Sequence, residues 1–135
     1  MAGYSGTSLP TKLGVKAGAT LVLVNAPAGV ITALPPGVVV SHQARGKADL
    51  VVAFFTRRAE LQRRLGTLGR VIFPAGGLWI AWPKRASGLD TDITDNVIRE
   101  EALPLGLVDN KVCAVDETWS GLRVVWRREL RTSGG

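Results

Sequence analysis

The chain has 135 residues, of which 46% are hydrophobic and 21% charged, and its formal net charge is +6. This length is typical of one globular domain, and the composition excludes an intrinsically disordered chain. A single cysteine, Cys113, excludes an internal disulfide and a zinc site built from several cysteines. The apolar runs are too short to cross a bilayer, and the first residues lack the pattern of a signal peptide. We therefore expect one cytoplasmic domain over residues 1–135.

The first half of the chain predicts three strands. Residues 1–12 are rich in Gly, Ser and Thr and predict an N-terminal arm. Residues 20–25 and 50–55 are continuous apolar runs, which are typical of strands buried on both faces of a parallel sheet. Between them, residues 38–40 predict a short strand and residues 30–34 a short helical turn.

A helix is predicted after the third strand, with Thr56 as its N-cap. Its apolar residues recur at spacings of four, three and four, which is one stripe of an amphipathic helix. These residues are Leu61, Leu65, Leu68 and Ile72. Gly66 and Gly69 weaken the later turns and predict an early end.

The second half predicts a strand, a helix and a hairpin. Residues 78–82 form the strand, and Thr91 or Asp92 can cap the helix that follows. Residues 111–116 and 122–130 are the two hairpin strands. Residues 131–135 predict a disordered tail.

Strands that alternate with helices and end in a hairpin indicate an α/β fold. We expect a reduced Rossmann-like, mostly parallel sheet with helices on both faces and a C-terminal antiparallel hairpin. The connection over residues 41–49 is too short for the helix of a regular crossover, which usually takes about a dozen residues. Either the second strand lies at an edge in an unusual direction, or one strand–helix unit has been lost.

These segments resemble a reduced S-adenosylmethionine-dependent methyltransferase. The resemblance rests on the apolar run over residues 13–25, on Asp followed by apolar residues over 49–55, on Gly-Gly followed by apolar residues over 76–80, and on the closing hairpin. It implies a methyltransferase-like Rossmann fold.

The chain departs from this family where the cofactor binds. The family carries a glycine-rich loop after its first strand and an acidic residue at the end of its second. Here residues 25–29 contain one glycine and Pro27, and residues 41–43 read Ser-His-Gln. We therefore expect no cofactor to be bound.

A second resemblance covers nearly the whole chain. Residues 2–7 (AGYSGT), 76–84 (GGLWIAWPK) and 112–123 (VCAVDETWSGLR) resemble a small bacterial family known only as a domain of unknown function. This resemblance implies no activity.

Catalytic and metal motifs are missing from the sequence. Gly46-Lys47 lacks the rest of a P-loop, and there is no Gly-x-Ser-x-Gly. With His42 and Cys113 as the one histidine and one cysteine, we expect no metal site, a surface histidine and a core thiol. The pair Asp116-Glu117 is interpreted as turn chemistry. We predict no catalytic residue.

Any ligand site should lie outside the carboxyl ends of the parallel strands. Four segments leave such ends: residues 25–29, 56–58, 82–87 and 116–121. The predicted ligand-binding residues are Asn25, Thr56, Arg57, Trp82, Lys84, Asp116 and Trp119. Their mixture of amide, basic, acidic and indole groups suits a small anionic or aromatic ligand or a protein partner, with the two tryptophans as walls.

Three functions remain open from the sequence. The first is a non-catalytic, methyltransferase-derived binding or regulatory module. The second is an atypical S-adenosylmethionine-binding or nucleotide-binding enzyme. The third is a basic domain that binds nucleic acid weakly, because scattered Lys and Arg neutralise phosphates without reading bases. A membrane partner is not expected.

Overall fold

A computed structural model describes residues 8–131 of the chain. Its strands are β1 (Thr20–Val24), β2 (Val39–Ser41), β3 (Leu50–Phe54), β4 (Gly77–Pro83), β5 (Leu107–Ala114) and β6 (Trp119–Trp126). Its α-helices are α1 (Leu9–Leu13), α2 (Arg58–Ile72), α3 (Asp95–Ala102) and α4 (Arg128–Arg131), with 3-10 turns at Arg85–Ser87 and Leu103–Leu105. The predicted arm and tail lie mostly outside the described residues.

The six strands form one sheet in the order β2-β1-β3-β4-β6-β5. The first four are mutually parallel, and β6 runs antiparallel to both β4 and β5. The predicted mostly parallel α/β sheet with a C-terminal antiparallel hairpin is confirmed. Because β6 runs against β4, its first residue, Trp119, pairs with the last residue of β4, Pro83.

The short connection between β2 and β3 is explained by a missing helix. β2 lies at the sheet edge but runs parallel to β1, which is the regular direction. Residues 42–49 return past β1 without a helix. The alternative of an unusual strand direction is therefore wrong, and the loss of one strand–helix unit stays a prediction. The amide of Ala48 donates to the carbonyl of Val71 at 2.9 Å, which fixes this connection to the last turn of α2.

The two faces of the sheet are covered unequally. One face packs against α2 and α3, and the other against α1 and the long β1–β2 connection. Trp79 faces the α1 side and Trp82 faces the α2 side, which confirms their predicted opposite directions. The Trp79 indole Nε1 donates to the carbonyl of Leu13 at 2.8 Å, so α1 is bonded to the sheet centre.

Helix α1 forms within the segment predicted as an arm, and that part of the prediction is wrong. The Ser8 side chain accepts a hydrogen bond from the Thr11 amide, and a proline stands in the first turn, where its missing N–H costs nothing. The helical turn predicted over residues 30–34 does not form.

The starts of α2 and α3 differ from the predicted ones. Arg57, not Thr56, is the N-cap of α2, and it has no side-chain capping bond. Instead, the carboxylate of Asp92 accepts the amide of Arg58 at 2.7 Å. Thr94, rather than Thr91 or Asp92, caps α3 by accepting the amide of Val97.

Helix α2 does not end early at its glycines but continues to Ile72. Gly69 is buried against the Trp126 ring, whose Nε1 donates to the Gly69 carbonyl at 2.8 Å. Tertiary contact therefore offsets the low helix propensity of glycine. In residues 8–131, none of the helices has the length and apolarity needed to cross a membrane.

We expect the two glycines of α2 to respond oppositely to alanine. A Cβ at Gly66 would meet only the end of the Arg70 side chain, at 3.9 Å, so Gly66→Ala should raise the unfolding free energy by about 1 kcal/mol. A Cβ at Gly69 would lie 3.1 Å from Trp126, so Gly69→Ala should destabilise the protein. Urea denaturation measures both, and equal gains would contradict the packing role of Gly69.

Candidate functional site

The four segments predicted to hold a ligand do meet at one edge of the sheet, which we call the carboxyl rim (residues 25–29, 56–58, 82–87 and 116–121). The first three follow β1, β3 and β4 directly. The fourth joins β5 to β6 and reaches the same edge because Trp119 pairs with Pro83. The parallel topology therefore brings the predicted residues together at a common edge.

Asn25 lies at the point where the strand connections diverge, between β1 and β3. It adopts a left-handed conformation, with φ of 56°. Its side-chain amide donates to the carbonyl of Phe54 at 3.0 Å and to the Glu60 carboxylate at 3.1 Å. Ligands of open α/β sheets bind in this crevice. Here the Asn25 side chain bridges it.

Trp119 and Lys84 lie further along the same rim. The rings of Phe54 and Trp119 meet edge to face with centroids 5.1 Å apart. The amide of Lys84 donates to the carbonyl of Thr118 at 2.7 Å. A chain of direct contacts thus runs from Asn25 to Lys84.

Asp116 stabilises the turn between the two hairpin strands. One carboxylate oxygen accepts the amides of Thr118 and Trp119, each at 2.8 Å. The interpretation of this carboxylate as turn chemistry is confirmed.

The two rim tryptophans do not wall a single pocket. Trp82 packs against the α2 side of the sheet and Trp119 against the α1 side. They belong to successive residue pairs of β4 and β6, and the side chains of successive pairs point to opposite faces. Trp82 instead borders a shallow cavity of about 630 Å³ formed with the loop before α3, which includes Leu89 and Thr91. The prediction of two indole walls around one ligand is wrong.

Thr56 and Arg57 are both tied to the loop before α3. The Thr91 hydroxyl donates to the carbonyl of Thr56 at 2.7 Å. Arg57 pairs with Asp90 at 2.9 Å, but their side chains are 53% and 87% exposed, so the pair adds little stability. These contacts hold the loop over the start of α2.

Arg58 holds a cluster of carboxylates between α2 and α3. Its guanidinium contacts Glu101 at 2.7 Å and Glu100 at 3.0 Å, and Gln62 also donates to Glu101. Burial acts to raise the pKa of Glu101, but the hydrogen bonds from Arg58 and Gln62 outweigh it and lower that pKa. The cluster therefore fastens α3 to α2.

A large concavity lies at the opposite edge, where the parallel strands begin. It has a volume of about 1010 Å³ and includes Lys16, Lys47, Asp49 and Arg131 in its lining. This concavity was not predicted from the sequence, because the rule for open α/β sheets points to the carboxyl ends of the strands. The available signal was a basic residue shortly before β1, before β3 and after β6.

No cluster of three or more His, Cys, Asp or Glu side chains within residues 8–131 could hold a metal ion. His42 is exposed, as predicted for a surface histidine. Cys113 is half-buried against the α1-side core, and burial raises the pKa of its thiol.

The fold is similar to solved methyltransferase structures. A S-adenosylmethionine-dependent methyltransferase from Aquifex aeolicus aligns with a TM-score of 0.62 at 16% identity, over 84% of this chain and 85% of that one. The ribosomal protein L11 methylase from Lactobacillus delbrueckii subsp. bulgaricus aligns with a TM-score of 0.59 at 12% identity, over 89% and 75% of the two chains. These likenesses establish the fold.

A third structure is longer than this chain. The magnesium protoporphyrin IX methyltransferase of Synechocystis PCC 6803, with bound SAH, aligns with a TM-score of 0.52 at 14% identity over 67% of this chain, which spans 51% of that enzyme. No family model and no curated protein matches the sequence. The methyltransferase-like fold is confirmed, and the resemblance to a small bacterial family stays a prediction.

Substitution of Asn25 tests the bridge at the crevice. Asn25→Ala loses the amide donor and keeps a Cβ at positive φ, so it should destabilise the protein by about 2 kcal/mol. Asn25→Gly loses the same donor but relieves the backbone, so about 1 kcal/mol is expected. Thermal unfolding followed by circular dichroism measures the difference. Unchanged stability in both variants would show that the bridge contributes nothing.

Glu101 should make stability depend on pH. A lowered pKa stabilises the fold above the usual glutamate value of 4.5, and this stabilisation is lost as the pH falls through the folded-state value. Glu101→Gln should therefore lower stability at neutral pH and flatten its fall in acid, as measured by urea denaturation across pH. Glu117→Gln is the control, because Glu117 is exposed and has no ion pair in the described structure. An identical acid response of both variants would contradict this role.

Proposed function

We propose that the protein is a non-catalytic binding module on a methyltransferase-like scaffold. The observation that carries the proposal is the bridge of Asn25 to Phe54 and Glu60, because it uses polar groups in the crevice where ligands of this class of sheet bind. A cofactor in that crevice would have to displace both hydrogen bonds.

The segment after β1 gives further support. A nucleotide-type site usually follows its first strand with a glycine-rich turn and a helix whose N-terminal amides receive the ligand. Residues 25–38 form turns and bends without a helix, and Pro27 lacks an amide hydrogen. Val30 and Ile31 of this segment pack against the α1-side core, so the segment covers the sheet.

The end of β2 also supports the proposal. An acidic residue at this position would accept the ribose hydroxyls of an adenosyl ligand. Ser41 stands there, and its hydroxyl oxygen accepts the amide of Gln43 at 3.1 Å in a local turn. The carboxylate that would hold a ribose is thus replaced by a turn-forming hydroxyl.

Titration calorimetry with S-adenosylmethionine and S-adenosylhomocysteine tests the proposal. We expect no binding to the folded protein, because the crevice is bridged and both ligand-holding features are replaced. A micromolar dissociation constant would contradict the proposal and favour the atypical enzyme. In that case Asn25→Gly, which opens the bridge, should change the affinity, whereas Gly66→Ala in α2 should leave it unchanged.

A further inference from the structure

The charges of the protein are distributed unevenly. Of its seventeen Lys and Arg residues, three arginines form ion pairs among the described residues: Arg57, Arg58 and Arg99. All their carboxylate partners lie on α3, in the loop before it, or on β5. The ion-paired carboxylates thus lie in one part of the structure, and the other Lys and Arg residues form no ion pair among the described residues.

Some of the unpaired basic residues lie at the large concavity where the parallel strands begin, which we call the amino-edge cleft. Lys16, Lys47 and Arg131 line it. Arg127 and Arg128 directly follow β6, which ends at the same edge because it is antiparallel to β4. Five basic residues from three separate parts of the chain therefore lie at one edge.

One carboxylate lines the cleft in the described structure, and it is engaged. Asp49 accepts the amide of Thr20 at 2.9 Å. Lys47 donates to the carbonyls of Arg70 and Phe73, each at 3.2 Å, which leaves one of its three N–H groups available. The lining therefore keeps an excess of positive charge.

Arg123 adds an unneutralised charge beside the cleft. Its guanidinium packs over Gly77, where a Cβ would lie 2.6 Å from Nε. It is half-buried and has no hydrogen bond or ion pair among the described residues. Burial and the nearby Arg131 both lower its pKa. Two like charges held together in this way repel each other, and a bound anion would relieve that repulsion.

We propose that the amino-edge cleft binds single-stranded nucleic acid through its phosphodiester backbone. Lys16, Lys47 and Arg131 in its lining, with Arg123 beside it, are the phosphate-binding residues. This proposal rests on the proposed function as a binding module and names the class of partner that is bound. It concerns the edge of the sheet opposite the carboxyl rim. Failure of one proposal therefore leaves the other standing.

The shape and chemistry of the cleft favour one strand over a duplex. The cleft is concave, with glycines at positions 14, 18 and 76 in its lining, so a flexible backbone can approach closely. The charged groups that it offers to a ligand are the long side chains of Lys16, Lys47 and Arg131, which contact phosphates and do not read base edges in a defined pattern. Binding should therefore be independent of sequence and strongly dependent on salt.

Fluorescence anisotropy tests the proposal with the full chain and a labelled oligothymidylate of about 16 nucleotides, the upper end of the usual range of single-strand sites. Lys16→Gln with Arg131→Gln removes two charges from the cleft. The slope of log affinity against log salt is negative, and on single strands each phosphate contact contributes about 0.7 to its magnitude. The double variant should therefore have a slope that is shallower by about 1.4. Binding of the unaltered chain should be lost at high salt.

The matched control is Arg63→Gln with Arg85→Gln, which removes the same charge from exposed residues without ion pairs among the described ones. Its salt slope should not change. Equal losses in both double variants would show diffuse attraction and overturn the proposal. Thermal melts establish that each variant is folded.

Two further arms decide the class of partner. A duplex of the same length should bind more weakly than the single strand, and tighter duplex binding would overturn the proposal. Binding of the protein to vesicles of phosphatidylserine should be weakened no more by the loss of Lys16 and Arg131 than by the control substitutions. Vesicle binding that requires these residues, without binding of the oligonucleotide, would replace the proposal with a membrane surface.

Discussion

The three central strands β1, β3 and β4 must be buried on both faces, although the two long helices pack on only one of them. The opposite face depends on α1 and the β1–β2 connection, which supply Leu13, Val30, Ile31 and Leu34 as cover. The hydrogen bond from Trp79 to the carbonyl of Leu13 fixes this cover to the middle of the sheet. Loss of that cover would expose large apolar strands to water. The same requirement determines what the connection can do, because a segment that packs on the core is not free to cradle a ligand.

Patterns within one segment predicted the fold well. The continuous apolar runs gave β1 and β3, and the leucine stripe of α2 is buried as its spacing indicated. Helix starts were predicted poorly, because the amide at the start of α2 is satisfied by Asp92, a residue distant in sequence. The meeting of the rim segments followed from topology alone. The bridge at Asn25 and the amino-edge cleft did not, since both depend on side chains that only tertiary packing brings together.

The charged residues that join the helices and strands are different from the basic residues of the amino-edge cleft. Carboxylates cluster around Arg58 and Arg99, where they join α3 to α2 and to β5. Apart from Glu101, the carboxylates of these pairs are at least partly exposed and contribute modestly, so their placement matters chiefly for the basic residues that it leaves unpaired. The cleft at the edge where the parallel strands begin is lined by Lys16, Lys47 and Arg131, and an excess of positive charge speeds the encounter with anions. The scaffold thus presents different chemistry at its two ends.

The packing of Arg123 over Gly77 has a consequence for evolution. Any side chain at position 77 would occupy the space that the guanidinium fills, so the two positions cannot vary independently. Homologous chains that retain an arginine at position 123 should retain glycine at 77, and those with a small residue at 123 are free to lose it. This paired pattern of substitution would trace which relatives have kept the basic edge.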